Sequence, residues 1–166
     1  GRGFLTEALL ASAGRVIAVE KDARLASLLA GRFAAEIASG RLELVHADVR
    51  SFDPSYYKLQ ATSYKLVANI PYYLTGDLIR QFLTCDAQPS RMVLMLQREV
   101  AERVVAKDGK ESVLSISVKA YGTPWIVARV PRGAFSPPPK VDSAILLIES
   151  ISRRFFEDFA AGVKSV

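Results

Sequence analysis

Short β-branched runs alternate with amphipathic stretches along most of this chain, and that alternation admits few folds. RVIAVE at residues 15–20, LELVH at 42–46, KLVA at 65–68 and RMVLML at 91–96 read as strands. Helical spacing covers residues 4–13, with Gly14 as a stop, and residues 22–38, with an Asp at the start and Gly40 past the end. Helices are also predicted over 76–83, 98–106 and 112–121, and two last strands, 125–130 and 142–149, flank the loop FSPPPK. Strands that are apolar nearly throughout must be covered on both faces, so a mainly parallel sheet with helices on each side is predicted. The last two strands lack an intervening helix, which predicts an antiparallel pair closing one edge.

The chain has 166 residues, half of them hydrophobic, which is enough for one domain with a sizeable core. It opens on Gly1 inside a glycine-rich turn, and a new amphipathic pattern, RRFFEDFAAGV, starts after Ser152. We therefore expect a fragment, with residues 1–150 as the main domain and 151–166 as the start of a helical one. No targeting peptide or bilayer-length apolar stretch is present, so no membrane association is expected. Cys85 stands alone, which excludes an internal disulfide, argues against a metal site and fits a reducing, cytoplasmic setting. A monomer is expected. The net charge of +5 and pI near 9.5 hint at a polyanionic partner.

Ligands of open parallel sheets bind at the carboxyl ends of the strands. Three segments fall there. Gly1 and Gly3 in GRG let a ligand approach the backbone closely. Glu20 closes a strand, where a carboxylate can accept hydrogen bonds from both hydroxyls of a ribose, and Asp48 in HADV can accept one from the exocyclic amine of a purine. The interval from glycine turn to ribose acid suits a dinucleotide-type site, so a nicotinamide enzyme also fits these features.

The stretch VANIPYYLTG, residues 67–76, separates the two readings. The exocyclic nitrogen of adenine is a poor nucleophile because its lone pair is delocalised into the ring. Alkylating it requires acceptors for both amine hydrogens, so that the nitrogen can become tetrahedral. Asn69 offers a side-chain carbonyl and Ile70 a backbone one. Pro71, with fixed φ and no N–H, helps hold that carbonyl in place. Tyr72 offers a ring on which an extruded base can stack.

In order, GRGFLTEALL, AVEKD, HADVR, NIPYYLTG, LMLQREVAERV and FSPPPKVDSAIL resemble the motifs of the ribosomal RNA adenine N6-dimethyltransferases, most of all the small-subunit (16S) branch. The resemblance covers residues 1–149. It implies a Rossmann-like class I methyltransferase fold with a seven-stranded-type sheet, truncated at its first strand. It implies S-adenosyl-L-methionine as methyl donor and two adjacent adenines of a small-subunit ribosomal RNA hairpin as acceptors, each dimethylated during ribosome maturation. Carried over by motif, Gly1, Gly3, Glu20, Lys21, Asp48, Val49 and Asn69 hold the donor. Asn69, Ile70, Pro71 and Tyr72 are the catalytic motif, and Phe135 joins Tyr72 in holding the target base. Rival readings are the large-subunit (23S) methyltransferase of macrolide resistance, a DNA adenine methyltransferase, and a non-catalytic RNA-binding assembly factor on the same fold.

For RNA phosphates the candidates are Arg98, Arg103, Lys107 and Lys110, interleaved with Glu99, Glu102, Asp108 and Glu111, and then Arg129, Arg132 and Lys140 near the proline loop. His46 is expected at a strand end with a satisfied ring nitrogen, and Trp125 and Cys85 in packing.

Overall fold

The structure, a computed structural model, describes residues 1–61, 63–107 and 109–163. It divides into two compact units, Gly1–Phe52 and Asp53–Val166.

The first unit runs α1 (Phe4–Leu10), β1 (Val16–Glu20), α2 (Ala23–Arg32), α3 (Ala34–Ala38) and β2 (Leu42–His46). β1 and β2 pair in parallel, from Val16 opposite Leu42 to Glu20 opposite His46. Leu10, Val16, Leu29, Phe33 and Leu42 form its core. Asp22 caps α2, its carboxylate accepting from the N–H groups of Arg24 at 2.8 Å and Leu25 at 3.0 Å, a contribution of about 1 kcal/mol. The single helix expected over 22–38 is instead two, because Phe33 leaves helical geometry at φ −111, ψ 29. The break falls where the buried Phe33 ring lies against Gly3, so tertiary packing overrides a helical pattern that continues unbroken in the sequence.

The second unit holds a four-stranded sheet in the order β3 (Lys65–Asn69), β4 (Arg91–Gln97), β6 (Ser143–Glu149), β5 (Thr123–Val130). Its helices are α4 (Thr75–Thr84), α5 (Arg98–Val105), α6 (Val113–Tyr121) and α7 (Arg154–Val163). β3 and β4 are parallel, whereas β6 runs antiparallel to both β4 and β5. The expected antiparallel pair does close one edge, with β6 as its inner strand and β5 outermost. Met92, Leu94 and Leu96 of β4 and Ala144, Leu146 and Ile148 of β6 are wholly buried. Burying one such Leu or Ile side chain contributes about 1.5–3 kcal/mol. From α4, Leu78, Ile79, Phe82 and Leu83 join this core.

Trp125 departs from expectation. It lies on the edge strand β5, is 48% exposed, and has the Lys107 ammonium 5.9 Å from its ring centroid. Only one side of an edge strand is paired, and the apolar spacing of β5 did not show that it was the edge. Cys85 packs at the end of α4 with its thiol near the Phe82 and Ala87 carbonyls, and burial pushes that thiol up.

Candidate active site

Parallel pairing places the carboxyl ends of β1 and β2 side by side, so the Ala47 N–H donates to the Glu20 carbonyl at 3.1 Å. The Glu20 carboxylate accepts, at 2.9 Å, from the Asp22 N–H. Gly3 ends the glycine turn at φ +89, in the left-handed region. Arg32, absent from the sequence-derived candidates, braces this turn. Its guanidinium donates to the Arg2 carbonyl at 2.6 Å and pairs with Glu7 at 2.7 Å. Nothing in the sequence joins residues thirty positions apart.

Asp48 follows β2 and caps the short turn Val49–Ser51. Its Oδ2 accepts from Arg50 at 2.7 Å and Lys21 at 2.8 Å, and its Oδ1 from the Arg50 N–H at 3.0 Å and Nε at 3.1 Å. The Arg50 and then the Lys21 hydrogen bonds hold this carboxyl far below the ordinary carboxylate range. His46 meets the Lys21 carbonyl through Nε2 at 3.2 Å, as its strand-end place predicts.

In the second unit β3 runs one residue further than predicted and ends on Asn69, whose side chain is exposed. The Ile70 side chain is buried, and its N–H donates to the Met95 carbonyl at 3.1 Å, which fixes where the chain leaves the sheet. Pro71 has φ −55, and its carbonyl accepts from the Leu74 N–H at 2.9 Å. Among the described residues, neither the Asn69 carboxamide nor the Ile70 carbonyl has a hydrogen-bond partner. Tyr72 opens a 3-10 turn, Tyr72–Leu74, and is 37% exposed.

The proline loop reaches the same region. The Tyr72 phenol meets the Ser143 hydroxyl at 3.4 Å, joining NIPYY to the end of FSPPPKVDS. Asp142 accepts from the Arg132 N–H at 3.0 Å and from the Arg98 guanidinium at 3.2 Å, while its carbonyl accepts from the Arg98 N–H at 3.0 Å. It thereby ties the turn Arg132–Ala134, which delivers half-buried Phe135, to the start of α5. Asp142 and Ser143 were both missed as candidates, since their partners lie up to 71 positions away.

Comparison with known proteins decides the family. The family model described as ribosomal RNA adenine dimethylase matches residues 1–161. The chain belongs to that family. A ribosomal RNA small subunit methyltransferase A from Dehalococcoides mccartyi (strain 195) is 46% identical over 148 residues, which are 89% of this chain and 50% of that protein. One from Bradyrhizobium sp. (strain ORS 278) is 41% identical, over 97% of this chain and 59% of that protein. Among solved structures, a dimethyladenosine transferase from Plasmodium falciparum has a TM-score of 0.80 at 33% identity, covering 94% of this chain and 55% of that one. The 23S rRNA methyltransferase ErmE has a TM-score of 0.75 at 27% identity, covering 90% and 57%. The chain thus has the α/β fold of class I methyltransferases, and it spans about half the length of the curated relatives it matches.

The basic residues of the chain are unequally engaged. Arg103 pairs with Glu99 at 3.0 Å and Arg98 with Asp142 at 3.2 Å. Lys107 lies over Trp125, and the Arg132 and Lys140 side chains are exposed beside the proline loop. Asp108 lies outside the described residues. Among the described residues, no helix is long and apolar enough to cross a membrane.

Proposed function

We propose that the protein containing this chain is a methyltransferase that uses S-adenosyl-L-methionine to dimethylate N6 of two adjacent adenines in a small-subunit ribosomal RNA hairpin. The observation that carries this reading is the pair of unengaged acceptors at the end of β3, the Asn69 carboxamide and the Ile70 carbonyl, followed directly by the exposed ring of Tyr72. Residues 1–150 form the catalytic domain, and 151–166 open a further helical one.

The donor residues suit the ligand. Glu20 is a carboxylate at the carboxyl end of β1, which matches ribose hydroxyls. Asp48 and Val49 take the adenine of the donor. The Lys21 and Arg50 side chains now on Asp48 are themselves well exposed, so a ligand amine can replace one of them without uncovering any core. When bound, S-adenosyl-L-methionine would supply an electrophilic methyl group on its sulfonium sulfur, whose S–C bond would break on transfer to leave the donor as a neutral thioether.

Asn69 and Ile70 each accept one hydrogen of the target amine. The nitrogen becomes pyramidal, and its lone pair is freed from the ring. Pro71 adds no competing N–H and restrains the Ile70 carbonyl. As the new N–C bond forms, the nitrogen turns cationic, and the two fixed carbonyl dipoles stabilise that charge. The excess proton then leaves for water, so an ionised base is not needed. Stacking on Tyr72 holds the base. Replacing Tyr72 by alanine in the full-length protein is expected to lower kcat/KM for RNA by the ~1–3 kcal/mol of one stacked base. Unchanged RNA kinetics in that variant would leave the ring a purely structural role.

Lys140 is assigned to a phosphate. Lys140→Ala should weaken RNA binding across sequences and reduce the slope of log affinity against log salt by about 0.7–0.9. An unchanged slope removes it from the interface.

The deciding experiment is mass spectrometry of ribosomal RNA from cells with and without the parent gene. Dimethyladenosine should vanish from the small-subunit RNA alone. Its persistence there sinks the reading, and its loss from the large-subunit RNA instead points to the macrolide-resistance activity. Heat on titrating S-adenosyl-L-methionine into the full-length protein, with none from NAD, separates a methyltransferase from a nicotinamide enzyme and from a purely RNA-binding factor.

A further inference from the structure

Ser143, the first residue of β6, is only 2% exposed. A buried hydroxyl needs a hydrogen-bond partner. Among the described residues, the one its side chain meets is the Tyr72 phenol, at 3.4 Å. At the other end of the same residue, the Tyr72 carbonyl accepts from the Thr75 hydroxyl at 3.2 Å. Tyr72 is therefore held both at its backbone and at the tip of its ring, while the ring itself is 37% exposed.

Such anchoring matters for a stacking platform. A ring free to swing loses rotamer freedom when a base settles on it, and one already fixed does not. The neighbouring Asp142 braces the turn before Phe135, so consecutive residues steady the two aromatic groups assigned to the base.

We infer that Ser143 is a positioning residue for the target adenine: its hydroxyl sets the plane of the Tyr72 ring on which the base stacks. The inference rests on the function proposed above for Tyr72.

The test uses the full-length protein, small-subunit ribosomal RNA and S-adenosyl-L-methionine, with Ser143→Ala, Tyr72→Phe and the double variant. Tyr72→Phe keeps the ring and removes only the phenol. Each single change should lower kcat/KM for RNA about three- to tenfold, the value of one hydrogen bond. The double variant should lose no more than either single one, because both changes delete one shared contact. Affinity for S-adenosyl-L-methionine should not move. With 2-aminopurine in place of the target adenine, the change in emission on binding should shrink to the same extent in all three variants.

Losses that multiply in the double variant overturn the inference. So does a loss in Ser143→Ala with none in Tyr72→Phe, which marks Ser143 as a packing residue. Should Ser143→Ala fail to fold, Tyr72→Phe decides alone, and wild-type kinetics in it overturn the inference. A wild-type protein that methylates no adenine removes the underlying function as well, whereas normal dimethylation with multiplicative losses removes only the role of Ser143.

Discussion

Asn69→Ala in the full-length protein is expected to reduce methyl transfer by about 10²–10³, the effect of deleting one preorganised dipole at a developing charge. Donor affinity should fall far less than turnover, since Asn69 is one of seven residues assigned to the donor. The structure makes this a clean test. The Asn69 side chain is exposed and has no partner among the described residues, so its removal strands no buried polar group. Stability should therefore stay within about 0.5 kcal/mol of wild type. An activity loss with an unchanged melt, and far larger than any change in the calorimetry of S-adenosyl-L-methionine, places Asn69 in the chemical step. Turnover near the wild-type rate removes it from that step, and the two-acceptor mechanism goes with it.

Gly3→Ala carries the largest expected effect on stability. Gly3 sits at φ +89, a region that costs an ordinary residue about 1–2 kcal/mol. A Cβ there would lie 2.7 Å from Phe33 Cε2 and 2.8 Å from Leu29 Cδ2, on side chains only 4% exposed. Overpacking of that kind costs about 1–3 kcal/mol. Together these give about 2–5 kcal/mol, concentrated on the small core of the first unit. Donor affinity should fall too, since Gly3 is assigned to the donor. Gly14→Ala is the control, because nothing lies within 4 Å of its Cβ. Urea unfolding that finds the two variants equally stable would show that Gly3 is not held as described.

Much of the fold was legible because each strand is a short apolar run with clear ends. LELVH matched β2 residue for residue, and the other strands moved by one or two positions. What periodicity does not encode is which neighbour an element meets. Phe33 broke a continuous helical pattern because its ring packs beside Gly3, a contact made thirty residues away. Trp125 was assigned to packing because an edge strand and a covered one share the same spacing. The candidate site was legible where its chemistry lies in consecutive residues, as in NIPYY. It was illegible where support comes from afar, as with Arg32 under the glycine turn or Asp142 across to Arg98.

The position of β6 has a consequence during translation. It is the last strand of its sheet to be synthesised, yet it fills an inner slot, with β4 on one side and β5 on the other. Until residue 149 has left the ribosome, β4 keeps one bare apolar border and β5 has no strand to join. Such borders invite intermolecular pairing. A nascent chain arrested before Ser143 should thus be far more prone to aggregate, and to need chaperones, than one released only a few residues later.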